Sequence, residues 1–304
     1  MNHKTNRLFL LLVIGFGWNV SGQETRFNPT SGWSPVFKVP EIKIGPIGPR
    51  APAGFERVFA KEVTIFGVKI YATNKTPNSK VKHAAHILAQ YLDNDADGKP
   101  DNPQVVQCMN DRSAALVMFA TERSAEKRER SLHRLIPEQV WDRMILQSLY
   151  GEETIPGGAA VGRFDASLEE VLHLITHAGY AFAYPKVFGE KPGTELANAM
   201  DKARGGRFFR VPRVYPRQAW YTYDDRSCDY ECQATEYFYW GLTSLLGAQD
   251  YQGRFQEIRH EWRLNTPEKI KQGDQNLYRL LTHPDYRLPT RLPDGNYRPS
   301  SQPN

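Results

Sequence analysis

Four aspartates lie within one short stretch of the sequence, at a spacing that suits a calcium ion. They are Asp93, Asp95, Asp97 and Asp101. Calcium takes about six to eight oxygen ligands, and a short loop supplies them when carboxylates recur at every second residue. Gly98 permits the sharp turn that such a loop needs at its sixth position. Because carboxylates at this spacing repel one another without a cation, the stretch predicts a calcium site.

The stretch DNDADGKPDN resembles the loop of an EF-hand, and it also resembles a thrombospondin type 3 calcium repeat. For an EF-hand-like loop over 93–104, the resemblance implies that the carbonyl of Lys99 serves the seventh position and Asp101 the ninth. Helical spacing on both sides predicts a helix-loop-helix. Gln104 stands where an EF-hand has its bidentate glutamate. We therefore expect weak binding, with a Kd on the order of 10⁻⁴ to 10⁻³ M, as in extracellular modules.

A second candidate site is the helix predicted at 167–178, which carries His173 and His177 one turn apart. Helical geometry places Glu170 within about 60° of both histidines, on the side opposite the apolar residues. Imidazoles at this spacing can bind one Zn²⁺. Glu236 is the candidate third ligand, because a carboxylate in its aromatic-rich helix must reach solvent, a cation or a metal.

A histidine pair on one helix and a glutamate on a later helix resemble the gluzincin group of zinc metallopeptidases, in ligand types and their order only. The resemblance implies a zinc-dependent hydrolase. Leu174 occupies the position of the general base in the HExxH motif, so that base is absent. Glu170 or Glu169 would then take the proton of a metal-bound water. The alternative for Ser167 and Glu170 is a capping box, which needs no metal.

Weaker candidates surround these residues in the sequence. His260 and the Asp224-Asp225 pair are further metal-ligand candidates, and the phenol of Tyr221 or Tyr223 could stabilise an oxyanion. Tyrosines at this density are more often packing residues, so the phenols carry little weight alone.

The N-terminus has the pattern of a secretory signal peptide. Lys4 and Arg7 precede an apolar run over 8–18, and Gly22 suits the position before a cleavage site. The run has about 11 residues, too few to cross the ~30 Å hydrocarbon core of a bilayer. We therefore predict a signal peptide over 1–22, a secreted, extracellular protein and no membrane span.

Secretion brings the three cysteines, Cys108, Cys228 and Cys232, into an oxidising compartment. Cys228 and Cys232 are four residues apart, and in a helix such thiols are poorly aimed at each other. Pairing of Cys108 with either one is therefore equally open. Asn74 begins an Asn-Lys-Thr sequon, which predicts N-glycosylation in a eukaryotic host.

The charge of the chain argues against a nucleic-acid partner. The net charge of +5 falls to +3 when a signal peptide removes Lys4 and Arg7, and nucleic-acid-binding domains usually have a larger basic excess. A basic stretch over 202–213 contains no acid and is a candidate site for an anionic glycan or an acidic partner. Its candidate contacts are Arg204, Arg207, Arg210 and Arg213. The alternative is a solvated loop.

The hydrophobic pattern predicts a helix-rich α+β fold with one globular domain over 55–285. Alternating apolar residues over 58–72 predict a β-hairpin or small sheet, and the apolar run over 114–120 predicts a buried strand. Proline-rich sequence predicts an extended lead-in over 23–54 and a loose tail over 286–304. Helical spacing predicts helices over 80–92, 137–150, 168–178, 195–203, 232–246 and 251–262.

Two functions are compatible with these features. The first is a secreted calcium-binding protein with a candidate second metal site. The second is a zinc-dependent metallohydrolase that uses His173, His177 and Glu236, with calcium in a structural role. The enzyme needs an open metal position in a cleft, whereas the binding protein needs nothing from the histidines.

Overall fold

A four-stranded mixed sheet forms the β-part of the protein, whose computed structural model describes residues 37–300. The predicted signal peptide and the first residues of the lead-in lie outside the described residues. The strands lie in chain order: β1 (Lys61–Ile65), β2 (Val68–Ala72), β3 (Ala115–Phe119) and β4 (Leu146–Tyr150). The first pair is an antiparallel hairpin, and the other two pairs are parallel. The predicted hairpin and buried strand are thus confirmed.

Helices hold many more of the described residues than the strands do, which confirms the helix-rich α+β class. They are α1 (Asn78–Leu92), α2 (Pro103–Asp111), α3 (Glu122–Leu135), α4 (Glu138–Trp141), α5 (Ser167–Ile175), α6 (Ala181–Ala183), α7 (Glu195–Ala203), α8 (Tyr230–Leu245), α9 (Arg254–Ile258), α10 (Pro267–Gly273) and α11 (Gln275–Thr282). A π-helix, Thr176–Tyr180, continues directly from α5. Within 37–300, no helix is both long and apolar enough to cross a membrane.

The sheet separates two apolar cores, and the alternation of side chains along β3 explains both. Leu116 and Met118 belong to the core that contains residues of α1, α2 and α5. Val117 and Phe119 point to the opposite face, into a smaller core that includes Leu132 of α3. Because both faces of the strand are covered, all of β3 is buried, as its continuous apolar sequence requires.

The prediction of one helix over 137–150 is wrong. The segment begins as the short helix α4 and ends as the edge strand β4, which pairs in parallel with β3 from Leu146 to Tyr150. These two side chains also join the smaller core. The pairing of β4 with β3 and its burial therefore outweigh the helical spacing of the apolar residues.

Side-chain caps fix the starts of α2 and α8, two helices that border the candidate sites. The side chain of Asn102 accepts a hydrogen bond from the amide of Val105 at the start of α2, and Pro103 takes the first helical position. Asp229 caps α8 in the same way by accepting from the amide of Cys232. Deletion of such a cap typically costs about 1 kcal/mol.

The expected loose tail is instead packed against the rest of the protein as far as residue 300. The side-chain oxygen of Asn94 accepts hydrogen bonds from the amides of Thr290 and Arg291. The side chain of Gln90 similarly accepts from the amides of Asp294 and Gly295. The tail is poor in aliphatic residues, so hydrogen bonds to amide side chains make these contacts, and hydrophobic spacing cannot reveal them.

Candidate metal centres

The predicted calcium loop joins α1 to α2, so these residues form the expected helix-loop-helix. The loop closes around Asp93, whose Oδ1 accepts from the amide of Asp97 at 3.1 Å and whose Oδ2 accepts from the amide of Gly98 at 2.9 Å. Gly98 has a φ of 89°, a left-handed conformation that glycine adopts without steric cost. The glycine is therefore required by the turn itself.

The loop brings three of its predicted ligands together. Asp93, Asp95 and Asp101 each offer a carboxylate oxygen, and these oxygens lie within 4.8 Å of one another. Asp97 is outside this group, and its Oδ1 accepts from the amide of Lys99 at 2.8 Å. The side chain of Gln104 donates to the carbonyl of Ala183 at 3.0 Å, so it is engaged with α6.

The carboxylates of the loop lie close enough to repel one another. The pKa of Asp93 is raised to about 6, mainly by burial and also by the nearby Asp95 and Asp101, although hydrogen bonds from Tyr297 and Gly98 act in the opposite direction. Burial also raises the pKa of Asp101. A bound cation would remove this repulsion between the carboxylates.

The C-terminal segment, residues 287–300, closes over the loop. The hydroxyl of Tyr297 donates to Oδ2 of Asp93 at 2.5 Å, and the amide of Ser300 donates to the carbonyl of Ala96 at 2.8 Å. Nη1 of Arg287 donates to the carbonyl of Asp101 at 3.0 Å. The loop is therefore a docking point for the end of the described chain.

The candidate zinc helix differs from the prediction in its surroundings. Every residue of α5 is buried, so its polar side chains do not face water. The capping box that was the alternative for Ser167 and Glu170 is also absent, because α5 has no side-chain cap. The hydroxyl of Ser167 donates to Asp165 at 2.8 Å, and the carboxylate of Glu170 accepts from the side chain of Gln147 at 2.5 Å. Ser167 therefore bonds within its own segment and Glu170 bonds across to β4, so neither side chain caps the helix.

A buried cluster forms where α5 meets α8. Glu169, His173 and Glu236 each offer a ligand atom within 4.8 Å of the others, and their side chains are 2%, 2% and 1% exposed. Nε2 of His173 lies 3.6 Å from Oε2 of Glu236, and Nδ1 lies 3.6 Å from Oε2 of Glu170. The hydroxyl of Tyr223 donates to Oε1 of Glu236 at 3.0 Å. The cluster therefore joins one imidazole to several carboxylates.

His177 lies in the π-helix and has a different partner. Its Nδ1 is 2.5 Å from Oε2 of Glu190, whose Oε1 accepts from the hydroxyl of Thr235 at 2.5 Å. The structure thus brings Glu169 to the pair formed by His173 and Glu236, and it places His177 with Glu190. Glu190 lies in the irregular segment between α6 and α7, which has no periodic signal that sequence reasoning could use.

The electrostatics of both histidines are dominated by their carboxylates. Burial lowers the pKa of His173, but Glu236 and Glu170 outweigh burial and raise it well above the usual value. Burial likewise lowers the pKa of His177, but Glu190 outweighs burial, and the net pKa is raised. The neighbouring carboxylates therefore favour the protonated form of each imidazole.

The weaker ligand candidates lie elsewhere. Asp224, His260 and Glu261 form a third cluster, in which the aspartate and the histidine are exposed. The hydroxyl of Tyr221 donates to the carbonyl of Gln233 at 2.8 Å, so it is a packing residue, whereas Tyr223 contacts the cluster described above. Asp225 accepts from the amide of Ser227.

The structure decides between the cysteine pairings that the sequence leaves open. A disulfide joins Cys228 and Cys232, and Cys108 is a free, partly buried thiol. Cys228 precedes the cap of α8, so it is not helical, and the objection to a helical pair does not apply. The side chain of Asn74 is exposed, as its sequon requires for glycosylation.

The basic stretch over 202–213 is partly internal. Arg204 is fully buried, where it donates to Asp201 at 2.7 Å and to Gln233 at 2.6 Å, so it cannot contact an anionic partner. Arg207 also pairs with Asp201, at 2.8 Å. Arg210 and Arg213 are exposed. The four predicted contacts therefore do not form one open basic surface.

In comparisons with known proteins, no family model, no curated protein and no solved structure matches the chain.

Proposed function

We propose that this protein is a secreted calcium-binding protein whose loop over 93–102 holds Ca²⁺ and stabilises the docked C-terminal segment. The observation that carries the proposal is the convergence of Asp93, Asp95 and Asp101 in a loop that closes around Asp93. The flanking helices hold both ends of this loop.

The ligand atoms favour calcium among the common metal ions. All of them are oxygens, which suit hard cations, and no imidazole or thiolate takes part. Two oxygens bound to one Ca²⁺ at about 2.3–2.6 Å are at most about 5 Å apart. The upper limit of 4.8 Å between the three carboxylates fits this span.

The affinity we propose is weak and suited to an extracellular site. Gln104 cannot serve as a bidentate acidic ligand, and its side chain is engaged with Ala183. Loops with fewer charged ligands bind calcium with a Kd on the order of 10⁻⁴ to 10⁻³ M, which extracellular calcium can saturate.

Calcium would act on the C-terminal segment through Asp93. The bound ion would keep this carboxylate ionised, and the ionised form accepts the hydrogen bond from Tyr297 most strongly. The proposed function is therefore calcium-dependent stabilisation of the fold.

Thermal unfolding of the mature chain during a calcium titration tests the proposal. A ligand at a hundred times its Kd stabilises the folded state by about 2.7 kcal/mol, so Tm should rise with calcium. Asp95→Asn should lose most of this rise. Asp250→Asn, at an exposed aspartate outside the loop, is the matched control and should keep it. An equal rise in both variants would exclude the loop as the site.

For the alternative function, a zinc-dependent hydrolase, one contact in the structure supports the predicted ligand set and another opposes it. His173 and Glu236 lie within reach of a common metal ion. His177 is engaged with Glu190, so a set of His173, His177 and Glu236 is not preassembled. A screen of peptides and esters with the zinc-loaded chain tests this second function, and hydrolysis that His173→Gln abolishes would support it.

A further inference from the structure

The orientation of His173 is the starting point for a second metal site. Its Nε2 is buried and has no hydrogen-bond partner among residues 37–300. The separation of 3.6 Å from Oε2 of Glu236 is longer than a hydrogen bond. Two ligands of one tetrahedral zinc ion, each about 2.0–2.2 Å from the metal, lie about 3.3–3.6 Å apart. The spacing therefore fits two atoms that share a metal ion.

A third ligand is already placed by the helix. Glu169 precedes His173 by four residues in α5, so the two side chains lie on one face of the helix, one turn apart. Glu236 reaches the same point from α8. Three protein ligands are the number found in zinc sites that keep a further coordination position.

Neighbouring side chains contact these candidate ligands and hold them in position, as the residues around a metal site do. Glu170 lies behind His173, on the Nδ1 side, and is itself held by Gln147 of β4. Tyr223 holds the second oxygen of Glu236. A carboxylate behind a metal-binding histidine fixes the ring and directs the other nitrogen to the metal.

The charge of the cluster calls for a cation. Among the described residues, no lysine or arginine forms an ion pair with Glu170 or Glu236, and His173 is their charged neighbour. Burial of carboxylates without full compensation is costly. A divalent ion supplies two positive charges to a cluster that contains three carboxylates, whereas a proton on His173 supplies one.

We propose that Glu169, His173 and Glu236 bind one divalent transition-metal ion, with Zn²⁺ as the probe, at a site separate from the calcium loop. The site takes an ion that accepts mixed imidazole and carboxylate ligands. The proposal does not depend on calcium binding, because the two sites share no residue.

Metal titration of the chelator-stripped mature chain tests the proposal, with excess Ca²⁺ present to occupy the loop. Elemental analysis should find about one equivalent of zinc, and cobalt should give the visible absorption of a tetrahedral ion that zinc displaces. Glu169→Gln should weaken zinc binding at least about tenfold. His177→Gln is the matched control on the same helical segment and should bind zinc as the wild type does.

Each alternative gives a different result. Loss of zinc in His177→Gln with retention in Glu169→Gln would overturn the proposed ligand set. Absence of stoichiometric zinc from the wild-type chain would overturn the site. This result does not depend on the variants, so it decides the question even if they fail to fold. Asp95→Asn should retain zinc, and loss of zinc in that variant would place the metal in the loop instead.

Discussion

Tyr297 donates a hydrogen bond to Asp93, a residue 204 positions earlier in the chain. Asp93 is fully buried at the end of α1, and Tyr297 is 4% exposed in the C-terminal segment. The contact joins the predicted calcium loop to the end of the described chain. It also uses an acidic acceptor, and hydrogen bonds to charged groups are the stronger ones.

Tyr297→Phe should destabilise the protein by about 1.5–3 kcal/mol, because it removes a hydrogen bond to a charged acceptor and keeps the ring. Urea unfolding measures the loss. Tyr278→Phe, at a partly exposed tyrosine of α11, is the control and should change stability little. Equal stability of wild type and Tyr297→Phe would mean that the docking of the segment rests on its backbone contacts.

Asp165 is the acceptor at the centre of a buried network beside α1. It accepts from Nε2 of His83 at 2.6 Å, from the amide of Ile155 at 2.9 Å and from the hydroxyl of Ser167 at 2.8 Å. Burial raises its pKa, but the interactions with His83 and the other donors outweigh burial, and the net pKa is lowered.

The lowered pKa fixes the sign of a pH dependence. Asp165 contributes stability that is fully present above its ordinary value of 3.8 and is lost as pH falls through its lower, folded value. Asp165→Asn should therefore be less stable by about 1–3 kcal/mol at neutral pH, and the difference should shrink in acid. Urea midpoints across a pH series measure it. A difference that stays constant into strong acid would contradict the role of the ionised carboxylate.

Alkylation and mass spectrometry check the cysteine pairing. The denatured, unreduced chain should take one label, at Cys108, and reduction should expose Cys228 and Cys232. A double Cys→Ser variant at the bridge should lose about 2 kcal/mol, because the bridge closes a short loop over the start of α8. A label at Cys228 in the unreduced chain would show another pairing.

Gly179 is a point of close approach between the π-helix and α2. A Cβ there would lie 2.6 Å from Cγ1 of Val105 and 3.2 Å from Cγ of Met109. Val105 is β-branched and buried, so it has little freedom to move away. Gly179→Ala should destabilise the protein by about 1–3 kcal/mol and weaken calcium binding through α2.

Thermal unfolding and calcium titration of this variant test both effects. Gly45→Ala is the matched control, because a Cβ at Gly45 would have no atom within 4 Å. Unchanged stability of Gly179→Ala would show that α2 can shift without loss.

Local patterns predicted the local parts of this structure. The spacing of the aspartates identified a loop between two helices, because all residues of that pattern lie in one short, continuous segment. The helical spacing of apolar residues also predicted α7 with its observed bounds. These features depend on neighbours in sequence, which periodicity can report.

Long-range pairing was beyond the same reasoning. Nothing near Glu190 indicates that it pairs with His177, and nothing in α5 indicates that both of its faces are covered. The parallel pairing of β4 likewise depends on β3, far earlier in the chain. In the candidate ligand cluster, Glu169 is close to His173 in sequence, so helical spacing could indicate it. Glu236 reaches His173 from α8, a contact that depends on the tertiary fold.

The closure of the loop by residues 287–300 has a consequence for the order of synthesis. A ribosome delivers the predicted calcium loop and both of its helices before Tyr297 emerges, so the carboxylate of Asp93 spends that interval without its phenol partner. The loop therefore lacks these contacts with the C-terminal segment until the residues up to Ser300 have been synthesised and can reach Ala96 and Asp93.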